Sequence, residues 1–372
     1  MENLRFALVG TGGMGRKYAM MLTDGSVKGA MLTAVVCRKE EAKQWAKNQL
    51  PADMKVYSSA DELFDEPDGY DAVLIVTPHK THPDLAVKAF SLGKHVFCDK
   101  PAGVSVGQAQ RMEAAAKESG KLYAMMFHQR KYDKHIRMKE IMDSGDLGKI
   151  ERVMLVNSRY YRTAHYHASG SWRSSWAGEG GGALINQGQH ILDIWQWLFG
   201  LPTKIYANIP FGKYNNFQVD DEATIMMNYP DGMSAVFMLS TGEAVWEERM
   251  EIVGSRGTLL MEDNKLTLTI YGEDSRTYGK NSLDNSRNKM TFSTTTEEYS
   301  LEAEPYVEMF ENFAAAVTGK ESLTAPGHAG TEVLQITNGA YLSAWKGETV
   351  TLPIDADEYE KELQKQIEQE NK

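Results

Sequence analysis

A chain of 372 residues, 42% of them hydrophobic, has material for two domains, each with a core of its own. A formal net charge of -11 argues against nucleic acid or anionic membrane as a partner, since phosphate binding relies on clustered Lys and Arg. Two cysteines, Cys37 and Cys98, exclude a disulfide framework, and no apolar run is long enough to span a bilayer.

The cysteines read as small buried hydrophobes in a reducing cytoplasm. A strand beginning at Leu4 leaves no expected room for a signal or transit peptide. The first third of the chain then alternates short apolar runs with helical patterns. Residues 4–9 form a strand, Gly10-Thr11-Gly12-Gly13-Met14-Gly15 a tight turn, and residues 16–23 the opening of a helix. A second strand covers 31–37 and a second helix 40–48. A buried strand at 71–76 stops at Thr77-Pro78, and a helix over 83–92 ends at Gly93. A strand at 95–98 leads into Asp99-Lys100-Pro101. A helix over 106–119 and a last strand over 121–127 follow. Short apolar runs alternating with helices predict a parallel, doubly wound sheet.

The pattern changes after about Met125. A helix over 134–144 ends at Gly145, and alternating segments joined by hairpin turns then dominate. The pairs 222–229 with 233–240 and 249–253 with 258–261 predict an α/β domain with a large open, mostly antiparallel sheet. One helix, 183–199, interrupts it and ends at Gly200, with Pro202 beyond. Residues 272–300 are polar and read as exposed loops or edge strands. Helices over 303–317 and 328–344 close the fold, and the tail, 355–372, reads as a solvated, charged helix.

Gly10, Gly12 and Gly15 make G-x-G-x-x-G between a strand and a helix. The first glycine permits the turn, the second lets backbone approach a pyrophosphate, and the third lets helix pack on strand. The helix N-terminus presents free N–H groups to the phosphate, so the loop, with Thr11, Gly13 and Met14, is a dinucleotide site. The second strand ends in Cys37-Arg38-Lys39 with no acid at its tip, where a carboxylate would bind ribose hydroxyls. Arg38 can stack on adenine or bind a phosphate, so the cofactor is NAD or NADP, with NADP tolerated.

Lys100 closes a parallel strand and faces the crevice where such folds hold ligands. The glycine loop, Val76-Thr77-Pro78-His79-Lys80-Thr81-His82, the run Gly93 to Pro101 and the run Gly180-Gly181-Gly182 to Asp193 together resemble the Gfo/Idh/MocA oxidoreductases. Ala340-Tyr341-Leu342-Ser343-Ala344 and Val350-Thr351-Leu352-Pro353 match as well. The resemblance implies an N-terminal Rossmann domain and a second α/β domain. It also implies NAD(P)-dependent oxidation or reduction of sugars, inositols and their relatives. It places Thr77, Pro78, His82, Asp99 and Lys100 with Cys37 and Arg38 among the cofactor-binding residues. It also implies a cis Lys100–Pro101 bond, a role for Arg130 toward the cofactor or between domains, and a homodimer or homotetramer formed through the open sheet. The family's Glu-Lys-Pro is Asp99-Lys100-Pro101 here, and a family aspartate is replaced by Asn186, an amide that cannot take a proton.

The expected division is a dinucleotide-binding domain, 1–124, and a substrate-binding and oligomerisation domain, 125–372. The closing helices at 303–344 are free to pack back on the first. Oxidising a secondary alcohol needs a base for the hydroxyl proton and donors for the other hydroxyls. Lys100 and His190 supply the acid/base groups, with Asn186 four residues before His190 on the same helix face. Asp193 reads either as a supporting partner or as a helix acid. Tyr161, Trp172 and Arg173, with Lys100, Asn186 and His190, are the substrate-binding candidates, because aromatic faces with interspersed donors suit sugar rings. His165 and His167 lack a third ligand at sensible spacing, so no metal is expected. The resulting expectation is a cytoplasmic dehydrogenase of a sugar, a glycoside oxidised at C3, or an inositol-like polyol. The rivals are a redox-neutral lyase or glycosidase with tightly bound NAD, and a non-catalytic dinucleotide sensor.

Overall fold

The run Leu4–Val9 is buried at nearly every position, as a strand covered on both faces must be. The computed structural model describes residues 3–170, 172–283, 288–300 and 305–370. From the N-terminus come β1 (Leu4–Val9), α1 (Gly13–Met21), β2 (Ala30–Val36), α2 (Glu40–Gln49), β3 (Lys55–Tyr57) and α3 (Ala60–Asp65). Next are β4 (Ala72–Ile75), α4 (His82–Ser91), β5 (His95–Cys98), α5 (Val106–Ser119) and β6 (Tyr123–Met125). The strands pair in parallel in the order β3-β2-β1-β4-β5-β6. The order turns back between β1 and β4, so the loops after these strands flank the crevice at the carboxyl ends, where open α/β sheets bind ligands.

The chain continues with α6 (Asp133–Ser144), β7 (Ile150–Asn157), α7 (Ala164–His167), α8 (Gly188–Phe199), β8 (Lys204–Asn208), β9 (Glu222–Asn228) and β10 (Ser234–Ser240). It ends with β11 (Glu248–Gly254), β12 (Gly257–Glu262), β13 (Lys265–Tyr271), α9 (Ser275–Asn281), β14 (Phe292–Glu298), α10 (Tyr306–Val317), α11 (His328–Lys346), β15 (Val350–Thr351) and α12 (Ala356–Glu370). A nine-stranded sheet runs β14-β13-β12-β11-β7-β10-β9-β8-β15, antiparallel except where β7 and β10 lie side by side. The polar stretch 272–300 contributes a short helix and the edge strand β14, and residues 284–287 of it lie outside the described residues. The tail helix α12 is less solvated than its charge suggests: Tyr359 and Leu363 are buried, and the Tyr359 ring stacks on Trp345.

Two compact units result. The first comprises Met1–Lys131, Ala177–Gly180 and Glu304–Leu334; the second comprises Tyr132–Trp176, Gly181–Ala303 and Gln335–Lys372. The first therefore runs beyond the boundary expected at 124. The reason is local packing: His128 lies 4.3 Å from the Tyr306 ring and Arg130 donates to the Thr324 carbonyl at 3.1 Å. Helix α10 packs in this unit, where Phe310 meets Phe6 edge-on at 5.9 Å and Phe313 stacks on Phe97 at 4.9 Å. The segment at 177–180 is held there by His79, whose Nδ1 bonds the Glu179 carbonyl at 3.2 Å, and by Lys80, which donates to the Ala177 carbonyl.

In the second unit one face of the nine-stranded sheet carries the core. Val153, Leu155, Ile225, Met227, Phe237 and Ile252 are buried, and Trp195 of α8 meets Phe237 at 5.8 Å. Beneath α6 lies a buried ion pair, Lys134 Nζ to Glu248 Oε2 at 2.6 Å. Lys134 also donates to the Asp263 carbonyl at 2.7 Å, and Arg159 reaches Glu248 at 3.5 Å. Burial pushes the Glu248 carboxyl up, but Lys134, His135 and Arg159 outweigh it and hold it below its ordinary range. Glu248→Gln is expected to cost about 3–5 kcal/mol in denaturant unfolding, because it strands a buried cation. Lys134→Met with Glu248→Leu should recover most of that loss. A single-mutant cost under about 1 kcal/mol would show that the pair is solvated.

Candidate active site

The turn after β1 is shaped by close approach. A Cβ at Gly15 would lie 1.8 Å from the Gly10 carbonyl oxygen, so helix and strand could not meet with any larger residue. Gly12 differs, because a Cβ there would meet nothing within 4 Å. The protein's own packing leaves that position free, and α1 begins beside it with no side chain capping its N–H groups. Open room and unsatisfied amides at a helix start fit a dinucleotide's pyrophosphate. Thr11 and Cys37 sit nearby: the Thr11 hydroxyl donates to the Val36 carbonyl at 3.4 Å, and the Cys37 thiol is buried and pushed up by burial. Arg38 and Lys39 are exposed beyond β2, and the first acids, Glu40 and Glu41, open α2.

The turns after β4 and β5 are tied together by His82. Its Nε2 meets the Thr77 carbonyl at 2.6 Å and its Nδ1 the Pro101 carbonyl at 2.8 Å, while the residue is only 1% exposed. Burial, with the Lys100 charge, lowers its proton affinity against the pull of the two carbonyls. His82 thus spends both ring nitrogens on backbone and acts through the turns it joins. Thr77 accepts from Thr81 at 2.7 Å. Asp99 accepts from the Lys100 amide at 2.8 Å, and its carboxyl is pushed up to about 6 by burial, against the opposing Lys100 charge. The Lys100–Pro101 bond is cis. A separate cavity of about 540 Å³, lined by Glu113, Lys117, Lys121 and His328, lies at the other ends of these strands and holds none of these groups.

In the second unit the triple glycine turns into α8 under the control of Asp220. One carboxylate oxygen accepts from the Gly182 amide at 2.8 Å and the Tyr341 hydroxyl at 2.6 Å; the other accepts from the Leu184 amide at 2.7 Å. A Cβ at Gly182 would sit 1.9 Å from the Asp220 carbonyl oxygen, which is why glycine stands there. Burial raises the Asp220 carboxyl, partly offset by these three donors. The helix expected from 183 begins instead at Gly188. The amides that Asp220 binds precede the helix, so Asn186 lies on the turn and only His190 on the helix. Asp193 is fully buried and accepts from Gln196 at 3.1 Å.

Trp172, Arg173 and Asn186 belong to one cluster, centred on Tyr166. The Arg173 guanidinium lies 4.5 Å from the Trp172 ring and 4.6 Å from the Tyr166 ring. The Tyr166 hydroxyl accepts from Arg173, Asn186 and Gln187. Tyr161, 53% exposed, stands outside it. His165 and His167 fall on the short α7, not on a strand. His167 bonds Ser174 Oγ at 2.5 Å and is held below its ordinary range, chiefly by burial. Among the described residues no group of three or more His, Cys, Asp or Glu could hold a metal ion. Sequence reasoning missed Tyr166 and Asp220. Tyr166 was hidden between two histidines, whereas the acid run Asp220-Asp221-Glu222 was a visible signal. Lys100 belongs to the first unit and Asn186 and His190 to the second.

Known proteins agree with this architecture. Residues 4–127 match the oxidoreductase family with NAD-binding Rossmann fold, and residues 135–260 match the GFO/IDH/MocA C-terminal domain. The chain is 30% identical to the uncharacterised oxidoreductase YdgJ of Escherichia coli, over 69% of this chain and 70% of that one. It is 26% identical to trans-1,2-dihydrobenzene-1,2-diol dehydrogenase of Bos taurus, over 73% of this chain and 78% of that one. Levoglucosan dehydrogenase, solved with NADH, shares the fold at a TM-score of 0.78 and 20% identity, covering 95% of this chain and 100% of that one. With an NAD-binding Rossmann domain over residues 4–127, the chain belongs to the GFO/IDH/MocA oxidoreductases, a family of NAD(P)-dependent sugar and polyol dehydrogenases.

Proposed function

We propose that this enzyme oxidises a secondary hydroxyl of a sugar, of a glycoside at C3, or of an inositol-like polyol. The observation that carries the reading is the set of N–H donors, Arg173, Asn186 and Gln187, gathered just before the helix that bears His190. Donors so arranged suit the oxygen lone pairs of a polyol, and the Trp172 face suits its C–H surface. Hydride transfer is the chemistry that a bound nicotinamide cofactor supplies. The residues of the chain do the rest. His190 accepts the hydroxyl proton, Lys100 lowers the proton affinity of that hydroxyl or relays the proton, and Asn186 orients the substrate without titrating. Levoglucosan dehydrogenase and the dihydrodiol dehydrogenase, both acting on hydroxyl-bearing rings by name, support this class of substrate. The exposed Arg38, with no acid beside it, supports tolerance of NADP. The site lies in the cytoplasm in this reading; among the described residues no helix is long and apolar enough to cross a membrane.

The experiment is a panel of glycosides, free sugars and inositols with NAD and NADP in parallel, followed at the nicotinamide absorbance. Lys100→Met and His190→Ala should each lower kcat by roughly 100-fold or more, the scale of a lost acid/base group, with cofactor affinity intact. Near-normal turnover in both variants ends this assignment, and aglycone release without net NADH would favour a redox-neutral lyase instead.

The carboxyl beside Lys100 gives a pH signature. Folding raises Asp99 from 3.8 to about 6, so its stabilising contribution is complete below about pH 4 and is lost as pH rises to about 6. Relative to wild type, Asp99→Asn should therefore gain stability on the order of 3 kcal/mol between those pH values. Denaturation midpoints at pH 4, 5 and 6 that stay parallel would contradict it.

The second face of the large sheet carries an apolar stripe, with Met154, Tyr206 and Met226 at 37%, 45% and 55% exposure, beside the ion pair of Arg152 and Glu251. A patch of this kind on an enzyme supports burial against a second copy, giving a homodimer or homotetramer. Light scattering should find the wild type oligomeric and Met226→Arg shifted toward monomer; a monomeric wild type would overturn this.

A further inference from the structure

Three N–H donors meet at one phenol in the second unit. Arg173 Nη1 reaches Tyr166 Oη at 2.8 Å, Gln187 Nε2 at 3.0 Å and Asn186 Nδ2 at 3.3 Å. The same ring carries two guanidinium groups, Arg162 at 4.4 Å and Arg173 at 4.6 Å from its centroid. Tyr166 is itself placed by the Thr163 hydroxyl, which accepts from its amide at 3.3 Å and starts α7. Asn186 and Gln187, 8% and 7% exposed, lie on the turn that Asp220 shapes. One hydroxyl therefore joins two segments that reach this place by independent routes.

Hydrogen-bond valence decides what that hydroxyl still offers. A neutral phenol oxygen accepts through its lone pairs and keeps one proton to give. Three N–H groups reach this oxygen, which has two lone pairs, so its acceptor side is full and one hydroxyl anchors all three side chains. Each side-chain amide has two N–H groups and a carbonyl oxygen. After giving one N–H to Tyr166, Gln187 holds a second N–H and a carbonyl in a fixed direction.

We propose that Tyr166 positions the side chains of Arg173, Asn186 and Gln187, so that it determines recognition of the polyol ring. The proposal rests on the dehydrogenase reading above and deepens it: the ligand is recognised through neighbouring oxygens that both accept and donate, as vicinal hydroxyls do.

Tyr166→Phe is the test, because it keeps the ring and both guanidinium contacts and removes only the oxygen. Substrate KM should rise roughly tenfold or more, the scale of one or two lost hydrogen bonds, and kcat should fall. The KM for NAD should stay within about twofold and the melting temperature within about 2 °C. Adding Gln187→Ala to Tyr166→Phe should cost less than the sum of the two, since both remove the same contact. Substrate KM and kcat within twofold of wild type would overturn the proposal, and so would a parallel loss of NAD affinity and melting temperature. A wild type inactive on every polyol would sink the dehydrogenase reading instead. The positioning claim would then be decided by a crystal structure of Tyr166→Phe: displaced Asn186 and Gln187 amides support it, and unmoved ones overturn it.

Discussion

The buried carboxylate of Asp220 fixes the backbone on which the second unit's chemistry depends. Its two oxygens take the amides of Gly182 and Leu184 and the hydroxyl of Tyr341, so each of its bonds either bends or anchors the turn ahead of α8. A carboxylate is costly to bury, and burial does raise its proton affinity; three donors make it tolerable. The Gly182 backbone must come within contact of Asp220 itself, so any side chain there would break the arrangement. The turn that carries Asn186 lies between this anchor and the start of α8.

The first unit solves a similar problem by other means. Two turns at the carboxyl ends of parallel strands must keep a fixed spacing if a dinucleotide is to lie across them. His82 lies between them with a ring nitrogen against a carbonyl oxygen on each side, and its burial keeps water from competing. Asp99 is shorter than the glutamate of the family pattern, yet it still bonds the Lys100 amide and still answers the Lys100 charge. Shortening the side chain has moved the carboxyl toward the backbone, where burial sets its titration.

Replacing the family's aspartate with Asn186 changes the balance of the donor cluster. The Asn186 amide points an N–H at the same phenol that Arg173 uses. The cluster consists of donors around one oxygen, and its order depends on that oxygen. Local folding alone would not produce this convergence, because α7 is a single short turn.

Much of the architecture was legible in the chain. Periodicity and strand length marked the parallel sheet, since strands buried on both faces must be continuously apolar, as at Leu4–Val9 and Ala72–Ile75. The glycine loop was readable because its spacing follows from backbone sterics. The boundary past residue 124 was not readable, because it depends on His128 meeting α10 and Arg130 meeting the Thr324 carbonyl, both far along the chain. The late start of α8 was hidden as well: residues 183–187 read as helix in the chain, yet they form a turn whose leading amides bond a carboxylate from position 220. Tyr166 had no signature at all, since one phenol among many becomes a hub only when three donors arrive from elsewhere. The residues alone determined most of the elements and the backbone turn of the glycine loop, because those depend on neighbours in the chain. Tertiary structure decided where the donors meet, because hydrogen bonds between distant segments have no periodicity to betray them.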